Sequence, residues 1–202
     1  MKDLFIETIR VRDKNTVELR DLHQERMVRT GKYLHWREVP AIPNLLEICP
    51  NDIEGDNIKC KITYHEKGIS DISFTKYVKR KIDTLRIVVD NEIHYSLKSA
   101  DRAELEKITH ILNENEEAII VRNGLLTDTT YSNLIIEIAG KLITPSRPLL
   151  EGVQRQHLIS TGQIVCKDLT VDDLKIADRI FLINAMMPLE DCIGLERNSI
   201  IL

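Results

Sequence analysis

Residues 5–11 (FIETIRV) alternate apolar and polar positions with a period of two, which predicts a short strand. Residues 17–19 could pair with it across the polar turn at 13–15. Asp21 is a plausible N-cap for a helix running to about Leu34, with Arg26 and Arg29 on it. Pro40, Pro43 and Pro50 bracket a short helix around residues 45–49, because proline tolerates few helix-interior positions. Strand-like runs follow at 58–64, 72–77 and 85–89, and Gly68 with its polar neighbours marks a hairpin between the first two. Residues 90–92 are polar and the pattern then changes. A boundary is therefore expected there, with residues 1–92 forming a small α+β domain and 93–202 a second, α/β domain that carries Lys98.

In the second half, YSLKSADRAELEKI (residues 95–108) reads as a helix with Lys98 at its head, since Leu105, Ile108 and Ile111 or Leu112 follow helical spacing. Residues 118–121 form an apolar run expected to be a buried strand, and 134–138 and 141–144 flank Ala139-Gly140 as a hairpin. Gly152 opens a helix reaching about Thr161. Runs at 163–167 and 179–183 read as strands with a short helix at 171–176, and 194–202 reads as a surface segment or an edge strand. Helices and strands alternate throughout, so the fold class is α+β (mixed α/β).

Composition narrows the function classes. Hydrophobic residues make up 43% of the 202 and charged residues 30%, enough apolar material for a real core. A net charge of −4 with only 4% aromatics argues against nucleic-acid and membrane-surface partners. The four cysteines (Cys49, Cys60, Cys166, Cys192) are far apart and the six histidines show no ligand spacing, so neither a disulfide framework nor a metal site is expected. The start, MKDLFIETIR, has no apolar core of a leader peptide, and no apolar run approaches a membrane span; a cytoplasmic location follows as an expectation.

Five places could carry chemistry. An amine at a helix start is opposed by the helix dipole, and in a desolvated pocket Lys98 would be a better nucleophile; a solvated surface lysine reads the same way. Asp128 ends an apolar run, where a carboxylate could keep an aromatic ring nitrogen protonated or simply cap a turn. The N–H groups of Val153 and Gln154 open a helix and could hold a phosphate. Arg26 could add a positive fork to the same phosphate or sit in an ordinary salt bridge. Asn184 and Ala185 follow a strand end, where small-molecule sites gather and turn asparagines also occur. No GxSxG and no P-loop appears.

The string TDTTYSNL (residues 127–134), followed by LIT (142–144) and LLEGVQR (149–155), resembles the signature of the class IV aminotransferases, the fold-type IV pyridoxal-phosphate (PLP) enzymes. FIETIRV, LHQERM (22–27) and ADRIFLINAMM (177–187) are similar to that family's first strand, first helix and last strand with its loop, so the resemblance covers most of the chain. It implies two small domains and a homodimer. It makes Lys98 the lysine that bonds the cofactor and acts in catalysis, and Asp128 the partner of the pyridine nitrogen. Val153 and Gln154 become phosphate holders, with Arg26, Asn184 and Ala185 completing the phosphate and substrate end. Three departures stand out: an aspartate at 128 where the family usually has glutamate, no tyrosine in SADRAEL after Lys98, and a short chain. The short chain, the NAMM segment and the KSADR context most resemble the lyase branch, which takes 4-amino-4-deoxychorismate to 4-aminobenzoate and pyruvate on the way to folate. A transaminase of branched-chain or D-amino acids, and a non-catalytic relic of the fold, are the alternatives. The implied partner in solution is a small amino-acid-like substrate.

Overall fold

The computed structural model describes residues 3–201; Met1, Lys2 and Leu202, the ends of the segments read above for a leader and a terminal edge strand, lie outside the described residues. The chain forms two compact units: Met1–Val78 with Leu97–Asp101, and Lys79–Ser96 with Arg102–Leu202. This division differs from the boundary expected at residue 92, and it puts Lys98 with the first unit. The reason is backbone pairing. Ile6 N–H donates to the Lys98 carbonyl at 2.9 Å, Ala100 N–H to the Leu4 carbonyl at 2.8 Å, and Phe5 bridges Ser99.

The first unit is a four-stranded antiparallel sheet with two helices. Strands β1 (Phe5–Arg12), β2 (Thr16–Val17), β3 (Asn57–His65) and β4 (Gly68–Lys76) lie in the order β2-β1-β3-β4. Helices α1 (Arg20–Tyr33) and α2 (Leu45–Ile48) lie between β2 and β3 in the chain. On β3 the period of two turns Ile58, Cys60, Ile62 and Tyr64 inward, against Phe5, Ile9 and Val11 of β1 and Met27 of α1. Phe5, Trp36 and Tyr64 pack with ring centroids 5.7–6.1 Å apart, a spacing that adds stabilisation beyond the area buried. Helix α1 starts two residues earlier than expected: Leu19, at φ 49°, is its N-cap, without a side-chain bond, and Asp21 sits in the first turn.

The second unit holds two four-stranded sheets. In one, β12 (Ile200–Ile201), β5 (Thr84–Val89), β6 (Glu116–Arg122) and β7 (Leu125–Leu126) lie in that order; β5 is parallel to β6, with α3 (Ala103–Thr109) between them in the chain. In the other the order is β10 (Val165–Lys167), β9 (Lys141–Pro145), β8 (Asn133–Ile138), β11 (Arg179–Ile183). The β8–β9 turn at Ala139 and Gly140 has φ of 50° and 74°, as a tight two-residue hairpin requires. Helices α4 (Val153–Ser160) and α5 (Val171–Lys175) complete the unit. Leu85, Ile119, Leu126, Leu134, Ile136 and Ile180 are buried together, each contributing on the order of 1.5–3 kcal/mol. Among the described residues no helix is long and apolar enough to cross a membrane.

Candidate functional site

In the first unit a carboxylate interrupts an apolar strand face. Glu7, between Phe5 and Ile9, is fully buried. Helix α1 answers it with His23 and Arg26, three residues apart and so on one face. Arg26 donates from Nε to Glu7 Oε1 at 2.9 Å and from Nη2 to Oε2 at 2.5 Å, and His23 Nδ1 lies 2.5 Å from Oε2. Burial alone would raise the Glu7 carboxyl, but the Arg26 charge and the bonds from His23 and Arg26 outweigh it and bring the pKa down to about 2. Burial holds the His23 imidazole below its ordinary value. Glu7 opposes that effect, and the charges of Arg26 and Lys98 reinforce it. His23 is therefore neutral at pH 7, with Nδ1–H donating to Glu7. Arg26 and Lys98 thus gather around one buried dyad, and Glu7 fixes the direction of the Arg26 fork.

Lys98 does not head a helix. It lies in an irregular stretch bridged to β1, centred in a tight turn where the Ser99 N–H donates to the Leu97 carbonyl at 2.8 Å, five residues before α3 begins, and is half-buried. Lys98 thus lies outside the first turn of α3, where the helix dipole would act on its charge. What remains is an amine on a short segment held by strand pairing and within electrostatic reach of a buried imidazole.

In the second unit Asp128 leaves β7, bridges Asn133 at the start of β8, and is 4% exposed. Oδ1 accepts from Asn133 Nδ2 and Oδ2 from the Leu150 N–H, both at 2.8 Å. Both donors are neutral. Burial pushes the Asp128 pKa up to about 6, and the Leu150 and Asn133 bonds and the Arg155 charge only partly offset it. The Leu149 N–H also acts on this carboxyl, and the group keeps acceptor capacity for a further donor. Asn133 also donates to the Leu150 carbonyl at 2.9 Å, and its Oδ1 passes so close to Gly152 that a Cβ there would lie 1.9 Å from it. Only glycine fits before α4.

Gly152 caps α4 in an extended conformation with no side-chain bond. The first-turn N–H groups of Val153 and Gln154 have no acceptor within the helix. Arg155, buried, folds back to donate from Nη2 to the Pro145 carbonyl at 2.8 Å and from Nε to Thr144 Oγ1 at 3.2 Å. A cation at a helix N-terminus does not help the helix, but it suits an anion bound there. Asn184 and Ala185 follow β11, and Asn184 Nδ2 donates to the Tyr131 carbonyl at 3.4 Å. Asp128, the α4 N-terminus and the residue 184 turn are therefore tied together through the segment 128–133. Sequence reading missed Glu7, His23, Asn133 and Arg155. A lone charge on an apolar strand face and the HxxR spacing on α1 were the available signals.

The family model for Amino-transferase class IV matches residues 4–190. An uncharacterized protein of Haemophilus influenzae is 31% identical over 168 residues, 82% of this chain and 89% of that one. A crystal structure from Haemophilus somnus 129pt, described as a "putative 4-amino-4-deoxychorismate lyase", is 27% identical with a TM-score of 0.81, covering 94% of this chain and 99% of that one. The PLP-bound form of a hypothetical aminotransferase from Mycobacterium tuberculosis has a TM-score of 0.74 at 16% identity, covering 98% of this chain and 81% of that one. The fold is that of the fold-type IV enzymes. The chain belongs to the class IV aminotransferases, the pyridoxal-phosphate family to which its motifs pointed.

The residues present fit that cofactor. A buried carboxylate bonded only by neutral donors suits a ring nitrogen that carries a proton, and an uncapped helix N-terminus backed by a buried arginine suits a phosphate.

Proposed function

We propose that this protein is a PLP-dependent lyase that converts 4-amino-4-deoxychorismate to 4-aminobenzoate and pyruvate. The observation that carries this reading is the likeness, over nearly the full length of both chains, to the Haemophilus somnus structure described by that activity. That chain is covered to 99%, so the small first unit is shared with a relative and is not peculiar to this protein.

When bound, the cofactor supplies an electron-poor ring that stabilises negative charge at the substrate carbon bearing the amine. Lys98 Nζ would hold the cofactor, and the same amine would serve as the base that takes the proton from that carbon. Asp128, positioned by Asn133 and Leu150, keeps the ring nitrogen protonated. The N–H groups of Val153 and Gln154 hold the phosphate, with Arg155 behind them. Arg26, oriented by Glu7, would offer its charge to an anionic group, and the turn at Asn184 and Ala185 would offer polar groups to phosphate or substrate. Loss of pyruvate leaves an aromatic ring, which draws the reaction forward. A homodimer in the cytoplasm completes the reading, and light scattering of the purified protein tests the dimer.

The experiment is release of 4-aminobenzoate from the aminodeoxychorismate substrate by PLP-loaded protein. Protein that binds the cofactor and releases none contradicts the lyase. The same residues would serve transamination of branched-chain or D-amino acids. In that case single amino acids bleach the cofactor absorbance with no elimination product. A non-catalytic relic would purify colourless and take up no PLP.

A further inference from the structure

The second unit contains a cavity of about 350 Å³ that no role above uses. That volume is at the lower end for small-molecule sites. Its apolar floor is made by Leu182 of β11, Met187 and Leu195. Its rim carries three consecutive cations, Lys79, Arg80 and Lys81, with Ile193 beside them, 87% exposed.

Arg80 is not a free surface side chain. Its guanidinium lies 5.0 Å over the Tyr131 ring, and Nη1 donates to Glu117 Oε2 at 3.2 Å. Glu117 is fully buried, and its other oxygen accepts from the Ala118 N–H and from the N–H and hydroxyl of Thr130. The guanidinium plane is thereby fixed at the cavity while most of its five donors stay available. The charges of the neighbouring cations are partly committed: Lys81 pairs with Asp83 at 2.8 Å and Lys79 donates to the Asp191 carbonyl at 3.2 Å. Glu190 and Asp191, both exposed on the following loop, temper the rim's positive charge and leave Arg80 as its oriented element.

The walls connect this cavity to the candidate site. Tyr131 belongs to the segment that carries Asp128, and Met187 closes the turn that carries Asn184, with N–H to carbonyl bonds of 3.0 and 3.1 Å between Asn184 and Met187. An apolar floor, an aromatic wall and one fixed, bidentate-capable cation together select a flat apolar body ending in a carboxylate.

We propose that this cavity holds the carboxylate-bearing ring of the substrate and product, with Arg80 as the residue that selects for the carboxylate. The assignment rests on the lyase reading. It predicts that 4-aminobenzoate binds the PLP-loaded protein, and that aniline, which lacks the carboxylate, does not. Arg80→Gln keeps a donor for Glu117 and removes the charge. Ile193→Glu puts an anion on the exposed rim without touching the core. Each should weaken 4-aminobenzoate at least tenfold by calorimetric titration, and raise KM for the substrate more than it lowers kcat. Equal affinity for aniline, or affinity for 4-aminobenzoate unchanged in both variants, overturns the assignment even where the lyase assay succeeds. Carboxylate-dependent binding that both variants weaken, in a protein that releases no product, upholds the cavity and removes the lyase.

Discussion

Replacing Asp128 by asparagine should stabilise the cofactor-free protein at neutral pH and destabilise it in acid. Burial moves this carboxyl from an ordinary 3.8 to about 6. The folded state therefore holds the proton more tightly than the unfolded state does. The stability tied to that proton is complete below about 3.8 and is lost as pH rises to about 6. Above that the charged group costs about 3 kcal/mol. Asparagine has nearly the same shape and no charge, but it can accept only one of the two bonds now made by Asn133 and Leu150, a loss of about 1 kcal/mol. The balance at pH 8 favours the variant by about 2 kcal/mol, or about 4–8 °C in Tm for a chain of this size. At pH 4 it favours the wild type, and the two curves cross between 3.8 and 6. Scanning calorimetry of both cofactor-free proteins from pH 4 to 8 measures this directly. The same variant should bind PLP more weakly. A Tm difference that does not vary with pH, or a variant less stable at pH 8, refutes the view of Asp128 as a buried charge whose cation is the cofactor.

Glu7 has the opposite sign. Its pKa falls from 4.5 to about 2, so its contribution is complete above 4.5 and is lost as pH falls toward 2. Glu7→Gln should cost about 3 kcal/mol at pH 7, and denaturant titration should find that gap closing in acid; an equal gap at pH 7 and pH 3 contradicts the ion-pair account. Val153→Pro removes one N–H at the first position of α4, where proline is tolerated and where Gly152 already has a compatible ψ of 143°. Tm should change little while PLP affinity, read from the cofactor absorbance, falls about tenfold or more; unchanged affinity removes the phosphate from this helix end.

The local features were the legible ones. Strand β11 has the bounds that its apolar run predicted, and the Ala139-Gly140 hairpin and the Gly152 helix start are where their turn chemistry puts them. Lys98 was placed correctly in the chain but not in the fold. SADR looks like the cap of a helix, and only the bonds to β1, more than ninety positions away, show that Lys98 is held outside any helix. The domain boundary shifted for the same reason. The role of Glu7 depends on His23 and Arg26 reaching it from another element, and the raised pKa of Asp128 depends on burial. The HxxR spacing marks the two helix residues but not that they meet Glu7, and no spacing shows the burial of Asp128. The parallel pairings β5–β6 and β9–β10 likewise need contacts between segments that no local pattern encodes.

The account stands on covalent attachment of the cofactor at one amine. Protein loaded with PLP, reduced with borohydride, digested and mapped by mass spectrometry should carry the cofactor on the peptide containing Lys98, and Lys98→Ala should carry none there. Cofactor fixed at another lysine, or bound protein that yields no labelled peptide, contradicts it.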